Sequence, residues 1–169
     1  YADRIAAMCG IDPDTSHYRI YPVKGEYFSV SARKSALISH LIYPPPLHGL
    51  KSLGTHVTKS LDGRARLGPN VAPASWHEDY DVDPAHLEEF FQAARSYLPF
   101  IEREDLQPDM AGMRPKLQTP GSAVADFVIR HETARGLPGL INLVGIESPG
   151  LTACLSIARQ VAGLVAAGL

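Results

Sequence analysis

The clearest apolar pattern in the chain follows Asp83-Pro84. Leu87, Phe90, Phe91, Ala94 and Leu98 recur there at helical spacing, which gives a helix one face to bury. Asp83 suits the N-cap and Pro84 the first helical position, so a helix is expected over 84–98, limited by Pro99. Residues 3–9 predict a short helix with Gly10 as its stop, and 100–106 a second short helical piece. Aromatic and β-branched residues over 18–23 and 26–31 predict two strands with a break at Lys24-Gly25. Residues 37–43 predict another strand, ended by Pro44-Pro45-Pro46 because proline donates no ladder hydrogen bond. Runs 53–61 and 64–67 flank Asp62-Gly63, the preferred two-residue loop of a type I′ hairpin. Residues 111–117 and 125–131 read as strands around a turn at Thr119-Pro120-Gly121. The last third differs in character. Residues 140–146 predict a buried strand, Glu147-Ser-Pro-Gly150 a tight turn, and 151–167 a helix apolar on nearly every face except Arg159 and Gln160. Such a helix is expected to be covered on several sides.

Composition narrows the class. The chain has 169 residues, 45% hydrophobic and 20% charged, with net charge −2. That is enough apolar material for a core, and it is neither the polar, highly charged make-up of disorder nor the basic one of a nucleic-acid or anionic-membrane binder. Fourteen prolines predict many turns and short elements. Cys9 and Cys154 form no CxxC, zinc or disulfide pattern, which fits a reduced compartment. The most apolar region, 137–169, is interrupted by Glu147 and Arg159, so no charge-free run approaches the ~20 residues of a membrane span. The start, Tyr1-Ala-Asp-Arg, has neither Met nor a signal-peptide pattern and looks cut from something longer. No internal repeat and no linker long enough to separate two independent domains is present.

Candidate chemistry is sparse. His40, His48 and His56 recur every eight residues, a spacing that neither a helix nor a strand turns into a metal site. Asp79, Asp81 and Asp83 resemble half a calcium loop, but Pro84 and Phe90 stand where its glycine and bidentate glutamate belong. Ser148 sits in a strand–turn–helix, yet Ile146 replaces the first glycine of a nucleophile elbow, so a serine hydrolase is a weak alternative. No Walker A or G-x-G-x-x-G motif occurs. What stands out is the turn after 140–146, which delivers the first amides of a long helix. Unpaired N–H groups and a partial positive charge collect at such a terminus. The amides of Gly150, Leu151 and Thr152 are placed to stabilise electron-rich oxygen or nitrogen; the plain alternative is an ordinary turn capped by Ser148.

Six blocks occur in order: Pro22-Val-Lys-Gly-Glu-Tyr-Phe28, Leu41-Ile-Tyr-Pro-Pro-Pro46, Gly54-Thr-His-Val-Thr-Lys-Ser-Leu-Asp-Gly63, Gly68-Pro-Asn70, Met113-Arg-Pro-Lys116 and Gly145-Ile-Glu-Ser-Pro-Gly-Leu-Thr152. Together they resemble the C-terminal half of the D-amino-acid-oxidase-type (DAO) FAD-dependent oxidoreductases, in particular the L-2-hydroxyglutarate dehydrogenase/oxidase-like subgroup. The resemblance covers nearly the whole chain. It implies an α+β fold: an antiparallel or mixed sheet of a substrate domain with packed helices, plus the last strand and helix of a FAD-binding Rossmann-type domain. In those terms 1–20 is the tail of a FAD-domain segment and connection, 21–120 the substrate domain, and 121–169 the return to the FAD domain.

The same resemblance implies a hydride passed from the Cα of a small 2-hydroxy acid to flavin N5. Gly145, Ile146, Glu147, Ser148, Pro149, Gly150, Leu151 and Thr152 would lie against the flavin, where a helix N-terminus stabilises charge on the N1–C2=O edge. Arg114 is the expected clamp on the substrate carboxylate, because a guanidinium binds it through two parallel N–H bonds; the alternative is a structural ion pair. His56 is the expected acceptor of the hydroxyl proton, or else a structural histidine. Tyr43 and Lys116 are further pocket candidates. The family's glycine-rich dinucleotide motif is not in this sequence, so these residues by themselves are expected to bind FAD weakly or not at all, to need the N-terminal FAD-binding half as partner, and to self-associate as a homo-oligomer. Amino-acid oxidation within the same family and a non-catalytic binding or scaffold module are the other readings. The expected location is cytoplasmic or peripheral to the inner membrane, with no nucleic-acid partner.

Overall fold

A computed structural model describes residues 1–45, 54–74, 78–119 and 122–168. Pro46, His48, Leu53, Pro120 and Gly121, which figure in the expectations above, lie outside the described residues. In chain order the elements are α1 (Ala2–Met8), β1 (Tyr21–Val30), α2 (Ala32–Ser35), β2 (His56–Lys59), β3 (Ala65–Gly68), β4 (Ala72–Pro73), α3 (Leu87–Arg95), β5 (Leu106–Lys116), β6 (Val128–His131), β7 (Ile141–Val144) and α4 (Gly150–Gly168). The protein is mixed α+β with antiparallel sheets. It divides into two compact units: Tyr1–Pro22 with Arg114–Leu169, and Val23–Met113.

The Val23–Met113 unit holds a sheet ordered β2-β3-β1-β4, with β5 also paired to β1. Lys24-Gly25 does not break β1, which runs unbroken from Tyr21; the expected strand over 18–23 therefore starts later, at Tyr21. Strand alternation explains this continuity. Lys24, Glu26, Phe28 and Val30 share the buried face, and Lys24 is tolerated there because Asp79 and Glu26 pair with it at 3.0 and 3.5 Å. Residues 37–43 are not a strand. Only Ile42 pairs, in a single bridge to Val57. The 53–67 hairpin exists, with His56 opposite Gly68 and Lys59 opposite Ala65, but its loop differs from the expected type I′ turn. Gly63 N donates to Ser60 O and Ser60 N to Arg64 O, so Leu61, Asp62 and Gly63 form a three-residue loop. Gly63 alone takes positive φ, at +87°.

The expected 84–98 helix begins as a 3-10 turn, Pro84–His86, with the Asp83 carboxylate accepting from Ala85 N at 2.9 Å. It becomes α-helical at Leu87 and ends at Arg95. Phe90, Phe91 and Ala94 are buried, and the Phe90 ring meets Phe28 of β1 at 4.7 Å between centroids. That contact ties the helix to the centre of the sheet. The short helical piece expected over 100–106 is a 3-10 turn, Arg103–Asp105.

In the other unit, β6 and β7 form an antiparallel pair, with Val128 opposite Val144 and His131 opposite Ile141. The strands expected on either side of Thr119 therefore do not pair with each other: β5 joins β1 and β6 joins β7. Ala6, Ile11, Tyr18, Ile20 and Val144 make the core. Glu132, fully buried, accepts from Tyr18 Oη at 2.5 Å and Asn142 Nδ2 at 2.9 Å. Arg135 stands 2.9 Å from its other oxygen as an ion pair rather than an aligned hydrogen bond.

Within these residues the last helix is left largely uncovered. Among the described residues α4 touches β6, and only a narrow stripe of the helix, Gly150, Ala153, Ile157, Val161 and Leu164, is even partly shielded from solvent, which is the i, i+3, i+4 spacing of a single helical face. Only Gly150 is buried, while Leu151 is 90% and Leu155 73% exposed. The sequence showed an apolar helix, but an all-round apolar surface does not identify what covers it. By length and composition α4 is also apolar enough to cross a membrane, with mean hydropathy 1.4, although Arg159 and Gln160 sit at its middle.

Candidate functional site

The Gly145–Thr152 turn is built by close packing. Gly145 has φ +71°, and a Cβ there would stand 2.4 Å from Leu117 Cγ. A Cβ at Gly150 would stand 2.5 Å from Ile146 Cγ2. Only glycine lets Leu117 and Ile146 close over the turn. The Ser148–Pro149 peptide is cis. Gly150 N donates to Glu147 O at 2.5 Å and Ala153 N to Pro149 O at 3.0 Å. Among the described residues no acceptor reaches the amides of Leu151 and Thr152, and Ser148 Oγ makes no capping bond. The capped-turn alternative is thus absent from the geometry. Two free N–H groups at the positive end of a 19-residue helix form a donor set that fits the electron-rich edge of a flavin.

Lys116 and Arg114 stand at the end of β5, in the same unit as this turn. Lys116 Nζ lies 2.7 Å from Glu147 Oε1, with both side chains largely shielded from solvent. The ammonium expected in a substrate pocket is therefore engaged by the turn itself. Arg114 is half-buried and makes no ion pair among the described residues. Its guanidinium, with five donors in a fixed fork, remains available for a carboxylate. Ser148 is exposed, and among the described residues no histidine hydrogen-bonds to it.

His56 and Tyr43 belong to the Val23–Met113 unit. The Ile42–Val57 bridge sets them side by side, with ring centroids 4.3 Å apart and planes 17° from parallel. His56 Nδ1 lies 3.1 Å from Gly54 O. A carbonyl only accepts, so Nδ1 carries a hydrogen, and in the neutral ring the lone pair then lies on Nε2. That is the tautomer a proton acceptor needs. The next backbone carbonyl, Thr55 O, is held by Tyr97 Oη at 2.8 Å; burial pushes the Tyr97 hydroxyl up to about 12, so it stays a donor.

Sequence reasoning missed Glu26. Its carboxylate is fully buried and accepts from Asn70 Nδ2 at 2.8 Å, Asp83 N at 3.1 Å and His86 Nδ1 at 2.5 Å. Burial pushes its pKa up, but these donors outweigh burial and hold it below its ordinary value. The Gly-Glu-Tyr-Phe and Gly-Pro-Asn blocks are thereby joined through Glu26 and Asn70. The available signal was register: Glu26 lies two residues from Phe28 on one strand, so both face the core. Of the three calcium-like aspartates, Asp79 and Asp83 are engaged by Lys24 and by the Ala85 amide.

Comparison with known proteins agrees with these blocks. The family model for FAD dependent oxidoreductases (DAO) matches residues 1–164. The mitochondrial L-2-hydroxyglutarate dehydrogenase of Arabidopsis thaliana is 41% identical over 160 residues, covering 88% of this chain and 31% of that protein. The L-2-hydroxyglutarate dehydrogenase of Salmonella houtenae is 28% identical over 199 residues, covering 98% of this chain and 46% of that protein. The chain thus spans 31% to 46% of these relatives' length. Among solved structures, dithionite-reduced L-alpha-glycerophosphate oxidase from Mycoplasma pneumoniae, with FAD bound, has the same fold, with TM-score 0.73, 24% identity, and coverage of 98% of this chain and 40% of that one. The chain belongs to the DAO family of FAD dependent oxidoreductases.

Proposed function

We propose that these residues supply the substrate domain and the last FAD-domain strand and helix of an enzyme that oxidises a small 2-hydroxy acid of the L-2-hydroxyglutarate type. Support comes from the similarity to L-2-hydroxyglutarate dehydrogenases and above all from one observation: Arg114, half-buried in a family block, pairs with no carboxylate among the described residues. A bidentate guanidinium–carboxylate pair fixes the substrate and hence the direction of its Cα–H bond. FAD, when bound, supplies the hydride acceptor. His56 Nε2 takes the hydroxyl proton, with Tyr43 stacked on the ring to hold its plane. The Leu151 and Thr152 amides would hold an electron-rich edge of the flavin and favour negative charge there.

The test uses the FAD-loaded protein that carries this sequence. Under anaerobic conditions L-2-hydroxyglutarate should bleach the visible flavin bands, and Arg114→Met should raise the concentration needed at least a hundredfold, since a charged hydrogen-bonded pair contributes about 3 kcal/mol. Bleaching by an amino acid instead would move the assignment to amino-acid oxidation. Failure to hold flavin at all would favour a non-catalytic module.

A further inference from the structure

Glu147 is the only acidic residue after Glu132, and it sits in the turn that opens α4, where its carbonyl accepts the Gly150 amide at 2.5 Å. A carboxylate at that place opposes the charge stabilisation the turn is meant to give. Its negative charge would lie beside the same helix end whose partial positive charge, about half a unit, acts on the flavin edge. The structure answers this with Lys116 Nζ at 2.7 Å from Glu147 Oε1. The two side chains are 27% and 14% exposed, so solvent and salt screen the pair less than a surface pair. The neighbouring residue, Leu117, closes on Gly145, so the strand that brings the cation also packs the turn.

We propose that Lys116 is a positioning and charge-compensating residue for the flavin-facing turn, its pair with Glu147 cancelling the one carboxylate at the start of α4 so that the helix end acts undiminished. The inference rests on the proposed function, in which this turn meets the flavin. It reassigns Lys116 from substrate contact to control of the reduction potential.

The experiment is a two-electron midpoint potential, measured by dye equilibration on the FAD-loaded protein carrying this sequence and on four variants. Lys116→Met leaves Glu147 uncompensated and should lower the potential. Glu147→Gln leaves Lys116 uncompensated and should raise it. Each shift is expected to be about tenfold in the reduced-to-oxidised flavin ratio, or about 30 mV. Lys116→Met with Glu147→Gln should return close to the parent value, and Lys116→Arg should not depart from it. A purely structural role would move both single variants the same way. Single variants that move together, or do not move while flavin is retained, overturn the inference and leave the proposed function standing. If the parent protein shows no flavin absorbance before any substitution, the proposed function fails, and the inference falls with it.

Discussion

The Val23–Met113 unit and helix α4 handle apolar surface in opposite ways. In the first, Phe28, Val30, Val57, Leu67 and Phe90 are all at or below 5% exposure, and every buried charge has a partner. In the second, a 19-residue helix of mean hydropathy 1.4 buries only its first glycine. The contrast separates two jobs that apolar residues perform. Those of the sheet and α3 hold a fold together. Those on the outer faces of α4 contribute little to the folding of these residues and are available to be covered.

The largest way to sharpen that contrast is Phe90→Ala. It removes a ring packed at 4.7 Å on Phe28 and should cost about 4 kcal/mol of unfolding free energy, read from urea titration. Next comes Glu26→Gln. It leaves His86 without its carboxylate and Lys24 with Asp79 alone and should cost about 3 kcal/mol at neutral pH. Its pH dependence has a definite sign. The folded pKa of Glu26 is held below its ordinary value of 4.5, so its stabilisation is complete above that value and fades as pH falls through the lower, folded one. The parent should therefore lose its advantage over Glu26→Gln in acid, and an advantage that grew with falling pH would refute the assignment.

Register explains why this cluster was unreadable in advance while much around it was legible. Asp83-Pro84 marked the helix start because capping is local, and Asp62-Gly63 marked the hairpin because turn chemistry is local. The loop type was not legible, since whether Leu61 joins the loop is decided by the pairing of Lys59 with Ala65. Lys24-Gly25 looked like a break only while Lys24 had no visible partner; Asp79 lies 55 residues away. In the candidate site, the turn between strand 141–144 and helix α4 was legible from its block. The Lys116–Glu147 pair was not, because nothing in a sequence aligns residues 31 positions apart.

Smaller effects complete the series. Tyr97→Phe removes the hydrogen bond to Thr55 O and should cost about 1 kcal/mol, with a greater loss of order in the His56 ring than in Phe28, read by side-chain NMR. Leu151→Glu with Leu155→Glu should change folding free energy by no more than about 0.5 kcal/mol, because both side chains are exposed. The same pair should reduce self-association of the 169-residue chain in light scattering, since it breaks the exposed apolar face. A fall in stability as large as that from Phe90→Ala would mean that α4 is part of a closed core after all.

The central claim is that the free amides at the start of α4 face the flavin. Hydrogen exchange at Leu151 and Thr152, compared in the protein carrying this sequence with and without FAD, tests it most directly. Slowing of both amides on FAD loading by at least tenfold, about 1.4 kcal/mol of added protection, is the expected result. Unchanged exchange at both positions, with FAD demonstrably bound, would contradict it.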